Sequence, residues 1–113
     1  MHETALVEGV FQIAAEQLKL NNLNRLISIK LLIGEQSGAV PEALSFAFQA
    51  MAEYYGHQGA ALEIEEIAAE AECRFCGTVF RYGQIGMACP RCGGLAPKLV
   101  KGEELMVESI IAE

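Results

Sequence analysis

The chain has no tryptophan, and all 15 of its acidic residues are glutamate. It has no uninterrupted apolar run near the roughly 18 residues that a membrane-spanning helix needs, which excludes that class. The start, Met1-His2-Glu3, is not a basic segment followed by a greasy block, so no secretory signal is expected. The expected compartment is therefore the cytoplasm, where thiols stay reduced. A positive balance is also lacking: the formal charge is −7, and such a chain is a poor whole-surface binder of nucleic acid. There is no nucleophile–base pair, no phosphate-cradling loop and no glycine-rich nucleotide fingerprint. What remains is 113 residues, 52% apolar and 20% charged, enough for one ordinary folded domain with a small appended module.

The charge is unevenly spread. Between Cys73 and Lys101 lie Arg74, Arg81, Arg91, Lys98 and Lys101 and no acidic residue, a surplus of +5. The rest of the chain sets Lys19, Arg25 and Lys30 against 15 glutamates, a deficit of −12. Six of the 11 glycines and all four cysteines fall in the same late region, between Cys73 and Gly102. Residues 1–72 and 102–113 therefore read as an acidic core, and residues 73–101 as a basic metal module inserted before the last strand.

Hydrophobic periodicity gives the core its elements. Leu6, Val7, Val10, Phe11, Ile13, Ala14 and Leu18 recur at helical spacing, and Asn21-Asn22 supplies a stop. From Arg25 to Ile33, Ile27, Ile29, Leu31 and Ile33 alternate with Ser28 and Lys30 as in a half-buried strand. Pro41 suits the first turn of a second helix carrying Leu44, Ala47, Phe48, Met51 and Tyr55, which Gly56 ends. Residues 62–65 alternate as another strand, and Leu105, Val107 and Ile111 mark a third. Strand, crossover helix and strand favour a parallel pair. The expected architecture is α+β: a three-stranded sheet packed with two helices, plus an inserted zinc-ribbon module.

Cys73-Arg74-Phe75-Cys76-Gly77 and Cys89-Pro90-Arg91-Cys92-Gly93 are two knuckles separated by 12 residues. Each bends the backbone so that two thiolates converge, and the trailing glycine lets the chain turn back with its N–H groups near sulfur. Four sulfurs suit a closed tetrahedral zinc site that holds shape without doing chemistry. Iron in a rubredoxin-like electron carrier is the rival on the same donor set. Thr78–Tyr82 and a turn over residues 83–86 are expected to form the ribbon between the knuckles.

The N-terminus carries a second donor set. A bulky residue after Met1 disfavours removal of the initiator, so the amine of Met1, the amide nitrogen and Nδ1 of His2, and the carboxylate of Glu3 are available to one ion. Nitrogen-rich planar donors suit Ni(II) or Cu(II). The bland reading is a solvated terminal histidine. His57, the only other histidine, sits at the stop of the second helix, where it is expected to meet the last carbonyls. The glutamates at 63, 65 and 66 read as the wet face of a strand.

The M-H-E start, the helix–strand–helix–strand core and the late paired cysteines together resemble the HypA/HybF family of hydrogenase maturation factors. The resemblance covers essentially the whole chain. It implies a nickel metallochaperone and no enzyme, with Ni(II) as transferred cargo on Met1, His2 and Glu3. It also implies a structural Zn(II) on Cys73, Cys76, Cys89 and Cys92. The implied partners are the maturation GTPase HypB, the [NiFe]-hydrogenase large-subunit precursor and, in some bacteria, urease accessory proteins. Neither nucleic acid nor membrane is implied, and the chain itself would be a monomer or homodimer. Family members that add a ligand from histidines in the zinc module have no counterpart here, since residues 58–113 contain no histidine. The competing reading is a zinc-ribbon protein or nucleic-acid adaptor that uses Arg74, Arg81, Arg91, Lys98 and Lys101 as its patch.

Overall fold

In the computed structural model, residues 3–83 and 88–113 are described. Helix α1 runs Glu3–Leu20, with Glu3 in its first turn and Lys19 in its last, each sign favoured by the helix dipole. Val7, Val10, Phe11, Ala14 and Leu18 are buried. Ile13, expected on the same stripe, is 44% exposed. The helix ends as its two asparagines suggest. Asn22 takes φ 54°, the Leu23 N–H reaches the Leu18 carbonyl at 2.9 Å, and the Asn22 N–H reaches that of Lys19 at 3.3 Å.

Strand β1 (Leu26–Gly34) is the centre of the larger sheet. The register slips between Leu26 and Ser28, so Leu26 enters the core in place of the expected Ile27. Helix α2 (Pro41–Tyr54) crosses over to β2 (Ala61–Ile67), which pairs parallel to β1 as expected. At its end Gly56 takes φ 80° and donates to the Glu53 carbonyl at 3.1 Å, while the His57 N–H reaches that of Ala52 at 2.7 Å. Residue 56 needs the left-handed backbone that glycine adopts without strain. The last strand, β6 (Leu105–Ala112), pairs antiparallel on the other side of β1, giving the order β2-β1-β6.

Both helices lie on one face. Phe11 of α1 stacks on Phe48 of α2 at 4.9 Å, over buried Ile29, Leu31 and Ile33 of β1. The opposite face carries Lys30, whose ammonium lies 3.1 Å from both Glu65 and Glu108. These two carboxylates raise the Lys30 pKa, Glu108 contributing most. The expected alternation of β6 fails at one point. A bulge at Glu108 shifts the pairing, so Ile110 and Ala112 join the core with Leu105 and Val107, and Ile111 turns outward.

A second sheet has the order β4-β3-β5, from β3 (Glu70–Glu72), β4 (Val79–Arg81) and β5 (Lys98–Lys101). The two sheets meet at an interlock of backbone and one carboxylate. Gly34, Glu35 and Gln36 donate to the carbonyls of Glu104, Ile67 and Gly102 at 2.7, 2.8 and 2.7 Å. Glu35 accepts from the Ala69 N–H at 3.2 Å and from Arg81 at 3.1 Å. A side chain on Gly34 would overlap the Gly102 carbonyl. The molecule measures 54 × 25 × 17 Å, with a radius of gyration of 17.7 Å. A compact chain of this length would have about 13 Å, so two lobes lie end to end. No helix among the described residues is long and apolar enough to cross a membrane.

Candidate metal centre

The four cysteines converge. Their sulfurs all lie within 4.8 Å of one another, with Cys73 to Cys92 at 3.4 Å and Cys76 to Cys89 at 3.6 Å. A tetrahedral zinc site with Zn–S near 2.3 Å has sulfur–sulfur edges of about 3.8 Å, so the donors fit that ion in type, number and spacing.

Each knuckle is built the same way. In the first, Gly77 donates to the Cys73 carbonyl at 3.1 Å and the Cys73 N–H to that of Thr78 at 2.9 Å. In the second, Gly93 donates to the Cys89 carbonyl at 2.8 Å and the Cys89 N–H to that of Gly94 at 2.9 Å. Gly77 and Gly93 take φ 77° and 75°, the turn-back that the sequence assigns to them. The third N–H of each knuckle, from Phe75 and Arg91, points at the sulfur of Cys73 and Cys89 at 3.4 Å. The first cysteine of each knuckle is buried and the second exposed. Cys73 and Cys89 share a small apolar cluster with Ala71, Phe80 and Tyr82.

The electrostatics explain why such a cluster requires a cation. N–H groups of Cys76 and then Phe75 lower the Cys73 pKa. The Thr78 hydroxyl, 3.2 Å from Cys76, leads the groups that bring the Cys76 thiol down to about 6. At Cys92 the Gly94 N–H pulls downward, but Cys73, burial and the other two sulfurs together push the thiol up to about 12. Four sulfurs this close cannot all ionise unless a positive charge sits between them.

Thr78 was legible only as the start of a ribbon; its hydroxyl two residues after Cys76 is the signal for a sulfur partner. Glu35 lies far from the cysteines in sequence and carried no signal. Two of the five module cations are engaged, since Arg81 pairs with Glu35 and Arg74 donates to the Ala96 carbonyl at 2.6 Å. Glu70 and Glu72 of β3 also lie opposite Arg81, Lys101 and Lys98 in the ladder, which dilutes the basic surplus.

Of the N-terminal donor set, Glu3 is the half-buried first residue of α1, and Met1 and His2 lie outside the described residues, as does most of the turn over 83–86. His57 is half-buried, its ring parallel to that of Phe11 with centroids 5.9 Å apart. It packs against the core and its backbone N–H ends a helix.

Comparison with known proteins places this arrangement. Residues 1–112 match a family model described as hydrogenase/urease nickel incorporation, metallochaperone, hypA. A hydrogenase maturation factor HypA of Desulfitobacterium hafniense is 36% identical over 113 residues, covering 100% of this chain and 99% of its own. One from Acidithiobacillus ferrooxidans is 35% identical, with full coverage of both chains (100% and 100%). The solution structure of the Ni metallochaperone HypA from Helicobacter pylori superposes with a TM-score of 0.68 at 24% identity, over 99% of this chain and 97% of that one. A second solution structure of a HypA protein gives 0.75, also at 24% identity, over 100% and 97%. These structures share the fold, two helices with small sheets. With the sequence match running from the first residue to beyond the last cysteine, the chain belongs to the HypA family of nickel-incorporating hydrogenase maturation factors.

Proposed function

We propose that this chain carries Ni(II) on the Met1 amine, the amide and imidazole of His2 and the carboxylate of Glu3. It hands the ion to the large-subunit precursor of a [NiFe]-hydrogenase, in concert with the GTPase HypB, in the cytoplasm. Urease accessory proteins are the second class of client. Cys73, Cys76, Cys89 and Cys92 hold a structural Zn(II) whose four sulfurs leave no open position, so the chain is a delivery protein and no enzyme. The nickel-binding core is residues 1–72 and 102–113, and the zinc module is 73–101, with Glu70–Glu72 lending the module a central strand.

The observation that carries this reading is a family match that begins at residue 1 and so includes the M-H-E start. Helix α1 supports it by starting at Glu3, because the first N–H groups of a helix have no intrahelical partner and remain available. The test is complementation. In cells lacking their own nickel-insertion factor, this chain restores hydrogenase activity and His2→Ala does not, while excess nickel in the medium rescues the His2→Ala strain. Full activity with His2→Ala at limiting nickel contradicts the proposal.

A further inference from the structure

The four sulfurs differ in access. Cys73 and Cys89 are each only 3% exposed, whereas Cys76 and Cys92 are open to solvent. The contacts between knuckles join unlike members. Exposed Cys92 lies 3.4 Å from buried Cys73, and exposed Cys76 lies 3.6 Å from buried Cys89. A disulfide is about 2.05 Å long, so each pair needs only a small closing movement. Within its own knuckle each buried sulfur is already engaged. Cys73 Sγ takes the N–H groups of Phe75 and Cys76 at 3.4 and 3.5 Å, and Cys89 Sγ takes that of Arg91 at 3.4 Å. These bonds fix each buried sulfur beside its neighbour from the other knuckle.

An open thiolate with a sheltered one in reach suits a two-step oxidation, in which the first sulfur meets the oxidant and the second resolves it. We propose that the cysteine cluster is a reversible peroxide-responsive site, in which Cys76 and Cys92 are attacked and Cys89 and Cys73 close the disulfides Cys76 to Cys89 and Cys73 to Cys92. The proposal rests on the reading that the four cysteines hold zinc. That ion has no redox chemistry of its own, so the electrons come from sulfur.

The Cys76 thiolate attacks one oxygen of hydrogen peroxide. An S–O bond forms, the O–O bond breaks and hydroxide leaves, giving a sulfenic acid. The Cys89 thiolate then attacks that sulfur, an S–S bond forms and a second hydroxide leaves. Two thiolates lose two electrons, one peroxide gains two, and each hydroxide takes a proton to become water. Cys92 and Cys73 repeat the sequence with a second peroxide. Sulfurs so joined no longer bind a cation as thiolates.

The two disulfides are nested along the chain, 76 to 89 inside 73 to 92, and both tie one knuckle to the other. Strand β4 lies within both loops, and β3 and β5 flank them. The ribbon therefore keeps its clasp as it gives up the cation, whereas bonds closed within each knuckle would leave the two untied. A thiol reductant returns four thiolates already side by side. The Thr78 hydroxyl, 3.2 Å from Cys76 Sγ, restrains the first attack, since a hydrogen bond to sulfur draws off the charge that it would donate.

The test treats the full, zinc-loaded chain with hydrogen peroxide. Released zinc is followed with a coloured indicator, disulfides by peptide mass mapping, and the ribbon by amide dispersion. Zinc is lost in step with the first disulfide, and mapping joins 76 to 89 and 73 to 92. Unlike a strong chelator, peroxide leaves the dispersion of β3, β4 and β5 in place, and reductant with zinc restores the starting protein. Thr78→Val keeps the backbone bonds and the initial zinc content, and it speeds formation of the Cys76 to Cys89 bond several-fold. Zinc retained through excess peroxide, or cysteines driven straight to sulfinic and sulfonic acids, overturns the proposal alone. Bonds mapped within the knuckles refute the pairing, and an unchanged rate in Thr78→Val refutes attack at Cys76. A chain with no zinc before peroxide is added overturns the zinc reading, and this proposal with it.

Discussion

Lys30 is the clearest single-residue case of sequence chemistry surviving into structure. It alternates with apolar neighbours in β1, so it must leave the core, and it emerges between Glu65 and Glu108. Their carboxylates raise its pKa above the ordinary 10.5. A raised folded-state pKa contributes stability below the unfolded value and loses it as pH rises through the folded one. Thermal melts of the native chain and Lys30→Gln should therefore differ by a constant margin at neutral pH. The margin should close only above pH 10.5, and closure well below that value would detach the effect from this amine. Gly34 is the opposite case. In the sequence it opens a loop, and nothing nearby says that the Gly102 carbonyl will occupy the place of its side chain. Glu35 is equally silent, because its partners Ala69 and Arg81 are 34 and 46 residues away.

Among the elements, those with long periodic signals were legible and those without were not. The helices announced both their stripes and their stops, and buried Leu44 and Phe48 lie where the spacing puts them. Phe48→Ala empties the centre of the helix layer, and loss of a buried phenylalanine costs about 3–5 kcal/mol. Against a total stability of about 5–15 kcal/mol, that should appear as a large drop in the denaturant midpoint. A drop equivalent to less than about 1 kcal/mol would contradict the assigned packing.

Strands β3 and β5 escaped because they are three and four residues long and carry charge, so no alternation could emerge. The bulge at Glu108 escaped because a one-residue shift leaves no mark on composition, and it moved Ile111 from core to surface. The knuckles, by contrast, were readable in full, since the spacing of cysteine and glycine is their geometry. The second sheet has only a small apolar cluster, so a metal held by the four cysteines should carry its stability. A strong chelator, or Cys73→Ala, should collapse the amide dispersion of β3, β4 and β5 and leave that of β1, β2 and β6 intact. Acid should act as the chelator does, because the sulfurs must be thiolates to bind. Loss of both sheets together would show that the lobes are not separately stable.

At the scale of the molecule, an acidic helix-and-sheet lobe and a cysteine lobe are joined end to end through Glu35 and two glycines. The proposed function separates a metal that holds structure, on the four converging cysteines, from one that is to be given away. The proposed nickel site on Met1, His2 and Glu3 would use nitrogen donors that must shed protons, including an α-amine whose ordinary pKa is about 7.7–8.0. Calorimetric titration of Ni(II) into zinc-loaded protein, comparing the free Met1 amine with the same chain acetylated there, tests this division most directly. Loss of a group one shell out from a metal costs up to about a hundredfold in affinity, so removing the amine itself should cost at least that. The account predicts one tight Ni(II) per chain with the amine free, weakening as pH falls, and no tight binding once it is acetylated. Equal affinity in the two proteins would contradict it and move the nickel site away from the N-terminus.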